Sequence, residues 1–279
     1  MTRAKQAVLK TLVYADVFNY PLTKTEIKKW LIWEHPSTPS SIDSALKAFP
    51  KTNHHYHLKS RQSITSIRRQ RQRFSQLKWQ LARRASRCLK LIPFIKLIAV
   101  TGALTMNNSD KNDDIDLIII TSPNRLWLTR IFSVLLLELL HLRRRPQDRH
   151  TANKICLNLF LDEFSLKLPP SQRHLYTAHE ICQIKSLFDK GNTYQKFLNA
   201  NSWVKNYLPN AVEIPQLKPS SFKQTNPPLL ETLAYKFQLY YMRKKRTREH
   251  ITPHSAFFHP RPTSQIILKK YHQKLKSLI

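Results

Sequence analysis

Two carboxylates alternate in the stretch Asp114-Ile115-Asp116-Leu117-Ile118-Ile119-Ile120. Strand side chains alternate between faces, so Asp114 and Asp116 fall on one face about 7 Å apart. Like charges at that spacing repel, and each is costly to desolvate alone. Lys111 is the only basic residue between Thr101 and Ile120. A divalent cation resolves the conflict. Mg²⁺ suits the pair because it takes carboxylate oxygens, keeps several waters and accepts phosphate oxygens. Taken alone, such a pair is also what a strand end reaching solvent looks like. Asp110 and Asp113, in the preceding loop, read as solvated or capping residues.

Gly102 adds a second feature. It is one of two glycines in the chain and follows the apolar run "FIKLIAVT", a dozen residues before Asp114. A glycine there permits close backbone approach by a phosphate, and the turn after it presents N–H groups. Strand, glycine, short helix and then an alternating Asp pair at the next strand form a composite signal. It resembles the signature of polymerase-β-like nucleotidyltransferases, Gly-Ser followed some ten residues on by Asp-h-Asp/Glu. In this chain the match is Gly102-Ala103 and then Asp114-Ile115-Asp116. The pattern from Ile95 to Leu161 fits that core. Together with "RLWLTR", "NKICLNLFL" and "LYTAHEICQIKSLF", it is similar to a prokaryotic branch of nucleotidyltransferase-domain proteins with a winged-helix-like N-terminus.

The resemblance implies Mg²⁺-dependent transfer of a nucleoside monophosphate from NTP to an acceptor: nucleic acid, protein or small molecule. Asp114 and Asp116 would hold two Mg²⁺ ions. Gly102, Ala103 and Thr105, with Arg125 nearby, would meet the triphosphate. A third carboxylate on the later strand would complete the catalytic set. The chain departs from the pattern at two points. Ala103 stands where the family has Ser, leaving Thr101, Thr105 or Ser109 to supply a hydroxyl. The later strand carries Asn158 at its middle. Asp162 shares the Asn158 face by period-two counting, roughly 13 Å further on. Either Asp162 serves as the third catalytic carboxylate, or turnover is weak, or the chain binds nucleotide without turning it over.

These residues require an α/β frame: a mixed-sheet nucleotidyltransferase core, an N-terminal helical winged-helix-like domain and C-terminal helices. Residues 1–60 give three short helices and a strand or ribbon at "KTNHHYHLKS", the order of a winged helix. The second helix opens with Thr23 and Glu26 in capping-box spacing. That module suits DNA or RNA binding, or simple packing. Residues 61–92 form a basic connecting helix. Its Arg68, Arg69, Arg71, Arg73, Lys78, Arg83, Arg84 and Arg87 are either a nucleic-acid backbone surface or a solvated face. Residues 93–208 hold the core strands, the apolar helix from Asn124 and two helices, "SQRHLYTAHEICQIKSLF" and "TYQKFLNANSWVKNYL". A linker and two further helices occupy 209–279.

Lys and Arg number 47 against 17 acids, a formal net charge of +30. Such a field attracts polyanions, unless it is only a solubility habit. Cys88, Cys156 and Cys182 have no metal or disulfide spacing, and the opening residues lack a secretion-signal pattern. A reducing cytoplasm is therefore the expected setting. "IFSVLLLELLHL" is too short to span a bilayer and reads as a buried helix, so no membrane partner is expected. His179-Glu180 face either the cleft or the core, and Arg125 and Arg130 flank the acidic strand. Two glycines exclude a Gly-rich phosphate loop of the GxxxxGK type.

Overall fold

A computed structural model describes residues 1–33, 39–145, 147–215, 217, 226–243, 250–258 and 263–279. The chain begins with α1 (Arg3–Asp16), β1 (Leu22–Thr23), α2 (Lys24–Lys29), α3 (Pro39–Leu46), β2 (Lys51–Thr52) and β3 (His55–Tyr56). The three strands form a small antiparallel sheet in the order β1-β3-β2. Thr23 and Glu26 make the reciprocal capping box that opens α2, as their spacing predicts. The long basic helix is α4 (Ile64–Leu89).

Next come β4 (Ile95–Val100), a 3-10 turn (Gly102–Met106), β5 (Ile115–Thr121), α5 (Leu126–Leu139), β6 (Ile155–Asp162), α6 (Leu175–Gln183) and β7 (Lys185–Asp189). The chain closes through α7 (Thr193–Ala200), a 3-10 turn (Ser202–Asn206), α8 (Leu229–Met242), β8 (His250–Ile251), β9 (Ser255–Phe257) and α9 (Thr263–Lys276). The class is mixed α/β. Six strands form a mixed sheet in the order β7-β4-β5-β6-β9-β8. β4 and β5 are antiparallel, while β5 and β6 are parallel and joined through α5.

Burial on both faces explains the uninterrupted apolar run of β5. Ile118 and Ile120 join a core with α1, α6, α7 and α9. Leu117 and Ile119 join a second core with α4, α5 and α8. The first core includes residues of α1 and α2 together with α6, β4 and β5, which ties the N-terminal helices to the sheet.

Helix α4 braces this joint with its basic side chains. Arg68 grips the Glu26 carboxylate with both guanidinium nitrogens at 2.8 Å. Arg71 donates to the Phe18 carbonyl at 2.9 Å and to Asn108 Oδ1 at 3.2 Å. Lys78 is fully buried and donates to the Lys111 carbonyl at 3.3 Å and Asn153 Oδ1 at 3.0 Å. These three are structural, and Arg69, Arg73, Arg83, Arg84 and Arg87 point outward.

Several expectations needed correction. The segment "KSLF", read as the end of a helix, belongs to strand β7, paired with β4. β8 and β9 were not anticipated. Residues 193–206 break into α7 and a 3-10 turn. The apolar helix α5 is buried on only one side, with Leu135 60% and Leu139 76% exposed. Its first turn is capped from α8, where Glu231 accepts from the Trp127 and Leu128 amides at 2.6 and 3.0 Å. The start of the expected linker packs on the first core through Ala211, Val212 and Ile214, while 216, 218–225 and, in the basic run after Met242, 244–249 lie outside the described residues.

Candidate active site

Asp114 precedes β5 and Asp116 is its second residue, with even-numbered side chains facing α1 and α6. The two therefore share a face, as their spacing requires. They line a cavity of about 710 Å³ together with Thr101, Gly102 and Ala103. α1 and the turn after it supply the opposite wall through Tyr14, Phe18 and Tyr20. α6 contributes Tyr176, His179 and Glu180.

Gly102 takes a φ of +70°, and a Cβ placed on it would stand 3.1 Å from Asp116 Oδ2. The turn after β4 thus closes against the carboxylate itself. Thr105 donates to the Gly102 carbonyl at 2.7 Å and tightens that turn, so it supports the loop rather than facing the cavity. Asn158 donates to Asp116 Oδ1 at 3.2 Å. Arg144 donates to Asp114 Oδ2 at 2.6 Å and reaches Cys156 Sγ at 3.7 Å. Asp114, Asp116 and Cys156 each present a potential ligand atom within 4.8 Å of the others. Burial, then the neighbouring Asp114 and Glu180 charges, push the Asp116 carboxyl up to about 7, against the pull of Arg144. Burial alone holds Glu180 at about 7 and His179 down at about 3.

Asp162 is not part of this site. The β5–β6 register slips between Leu117 and Ile118, pairing Leu117 with Leu157 but Ile118 with Leu159. Asn158 is the extra residue of this bulge. One extra residue moves everything after it to the opposite face. Asp162 consequently pairs with Thr121 at the far end of β5. There it accepts from the Asn124 and Phe164 amides, each at 3.0 Å, and meets His254 Nδ1 at 2.8 Å. Arg125 is also remote. It donates to the Asn124 carbonyl at 3.0 Å and stacks on Phe94. Arg130 bonds Gln238 and lies over Phe258, tying α5 to α8 and the segment after β9.

Sequence reasoning missed Arg144 and Cys156 and undervalued Glu180. Cys156 had a visible signal, since it sits beside Asp116 once β5 and β6 are paired in parallel. Arg144 had none, because it lies in an irregular segment whose position depends on the α5–β6 connection. No family model, curated protein or solved structure matches this chain.

Proposed function

We propose that this protein transfers a nucleoside monophosphate from NTP to an acceptor hydroxyl. The observation that carries the reading is the closure of the Gly102 turn on Asp116, within a carboxylate pair, at 3.1 Å from a would-be Cβ. The antiparallel β4–β5 and parallel β5–β6 pairs support a nucleotidyltransferase core, and the three helices with a three-stranded ribbon support a winged-helix-like module.

The donor chemistry fits a divalent cation. Asp114 and Asp116 supply hard oxygen ligands, and burial pushes the Cys156 thiol up, keeping it a neutral neighbour. A bound Mg²⁺ would neutralise the triphosphate and activate the attacking oxygen. With Asn158 on β6 where a carboxylate was sought, the described residues offer one compact ligand cluster, not two.

The chain's own residues do the rest. Asp114 and Asp116 would hold the ion, and the Gly102–Ala103 backbone would bring N–H groups to the phosphates. The acceptor oxygen bonds to the α-phosphorus. The bond from that phosphorus to the β-phosphate oxygen breaks, pyrophosphate leaves and the hydroxyl proton passes to water. Arg144 holds Asp114 and must release it when the ion binds.

The test is NTP consumption with radiolabelled nucleotide, Mg²⁺ and a library of hydroxyl acceptors. The variant with Asp114→Asn and Asp116→Asn should lose pyrophosphate release by at least a hundredfold. Equal consumption by wild type and double variant would refute the assignment.

A further inference from the structure

One charged group in the cavity is unused by this chemistry. Glu180 lines it, yet among the described residues its side chain makes no hydrogen bond and no ion pair. A half-buried carboxylate that lines a cavity without a bonded partner is a place for a cation. Around it stand aromatic rings. Tyr14, Phe18 and Tyr176 line the same cavity as Glu180. Tyr14 stacks on His179 at 4.0 Å, and Phe18 lies 5.4 Å from Tyr14. Ring faces attract organic cations, above all where water is excluded.

The charge of the lining points the same way. The chain as a whole carries +30, yet the cavity holds Asp114, Asp116 and Glu180 against Arg144, itself engaged by Asp114. His179 adds no positive charge, because burial keeps it neutral. With an ion held by Asp114 and Asp116 and Arg144 beside them, Glu180 is the lining carboxylate left without a charge partner among the described residues. The volume of about 710 Å³ lies within the range of small-molecule pockets. Its far wall is fixed, since Arg71 and Asn108 both bond the Phe18 carbonyl, at 2.9 and 3.1 Å.

We infer that the part of the cavity lined by Glu180, Tyr14, Phe18 and Tyr176 is the acceptor site, and that it takes a small organic cation bearing a hydroxyl. The inference rests on the nucleotidyl-transfer reading for the word acceptor, but the binding site stands independently of it. In this arrangement the N-terminal helices serve as the roof of a small-molecule pocket.

A matched set of probes tests it by calorimetry at pH 8 with saturating Mg²⁺, which occupies the Asp114–Asp116 pair. Choline is the cationic alcohol, 3,3-dimethylbutan-1-ol its uncharged isostere and 4-hydroxybutyrate an anionic alcohol. Choline is expected to bind at least tenfold more tightly than the isostere, with no binding of the anion. Glu180→Gln should bring choline down to the level of the isostere, and Tyr176→Leu should weaken choline several-fold while the fold persists by circular dichroism. Equal affinity for choline and the isostere, or unchanged choline binding by Glu180→Gln, would overturn the inference. Because the assay needs no nucleotide, failure of NTP turnover leaves its outcome readable. Conversely, transfer to RNA or another anionic acceptor alone would sink this inference and leave nucleotidyl transfer standing.

Discussion

Gly102 combines two demands that an added methyl group cannot meet. A left-handed φ of +70° costs an L-residue about 1–2 kcal/mol, and its Cβ would crowd Asp116 Oδ2 at 3.1 Å. Gly102→Ala should therefore lower the unfolding free energy by a comparable amount and reduce NTP turnover tenfold or more, the second effect exceeding what lost stability explains. Glu180 gives a prediction of opposite sign. Its carboxyl is held at about 7 rather than the ordinary 4.5 by burial. Between those values the folded state binds more protons than the unfolded chain, so stability falls as pH rises from about 4 to about 7. Glu180→Gln removes that fall. It should match wild type near pH 4 and exceed it at pH 8 by on the order of 1–3 kcal/mol, the lower end allowing for the side chain's partial contact with water. Chemical denaturation at the two pH values measures the difference. Asp114, Asp116 and Gly102 were legible because their roles follow from spacing along one strand and one turn. Asp162 was misassigned because period-two counting assumes a regular ladder, and the bulge at Asn158 reverses the face. Glu180 was ambiguous because a helical residue's surroundings depend on what the helix packs against.

Helix α4 separates two kinds of basic residue that look alike in sequence. Arg68, Arg71 and Lys78 turn inward and fasten the N-terminal helices to the loop before β5. Arg69, Arg73, Arg83 and Arg84 turn outward. Arg68→Met should destabilise the protein by about 1.5–3 kcal/mol, because half-buried Glu26 loses its charge partner but keeps the Tyr20 hydroxyl and the Thr23 amide. Adding Glu26→Gln should recover part of that loss in urea titrations. A full additive loss would mean the two residues act separately. The outward arginines are the remaining candidates for polyanion binding. Replacing Arg69, Arg73, Arg83 and Arg84 with Gln should lower the slope of log K against log salt for duplex DNA by up to about 3.6, at about 0.9 per phosphate contact. Arg68→Met should leave that slope unchanged. The capping box, the strands β4, β5 and β6 and the long basic helix were readable from local pattern. β7 was not, because "KSLFD" follows α6 without a glycine or proline to mark the break. β8 and β9 are two and three residues long and owe their existence to pairing, β9 with β6 and β8 with β9.

At the scale of the whole molecule, charge works against compactness. A formal +30 on one chain means that most cation neighbours repel, and 17 acids cannot offset 47 bases. Ion pairs such as Lys154–Asp148 and Lys24–Asp43, each near 2.8 Å, act locally and lie toward the surface. The shared core from α1 to β5 carries the stability instead, and it was invisible in sequence because it needs contacts between residues far apart in the chain. Two-sided burial of the sheet was visible, since the run from Leu117 to Ile120 admits no solvent face. Added salt weakens both repulsion and attraction, and the imbalance decides the sign. Between about 0.01 M and 0.15 M the screening length falls from roughly 30 Å to roughly 8 Å, which removes most long-range repulsion and spares contacts at hydrogen-bond distance. The melting temperature should accordingly rise with NaCl over this range. Sodium sulfate at equal ionic strength separates screening from anion binding or exclusion: equal rises identify screening, and a larger rise in sulfate identifies the anion itself. A fall in melting temperature with NaCl would mean that the ion pairs outweigh the repulsion, and that the excess charge is spread too widely to strain the fold.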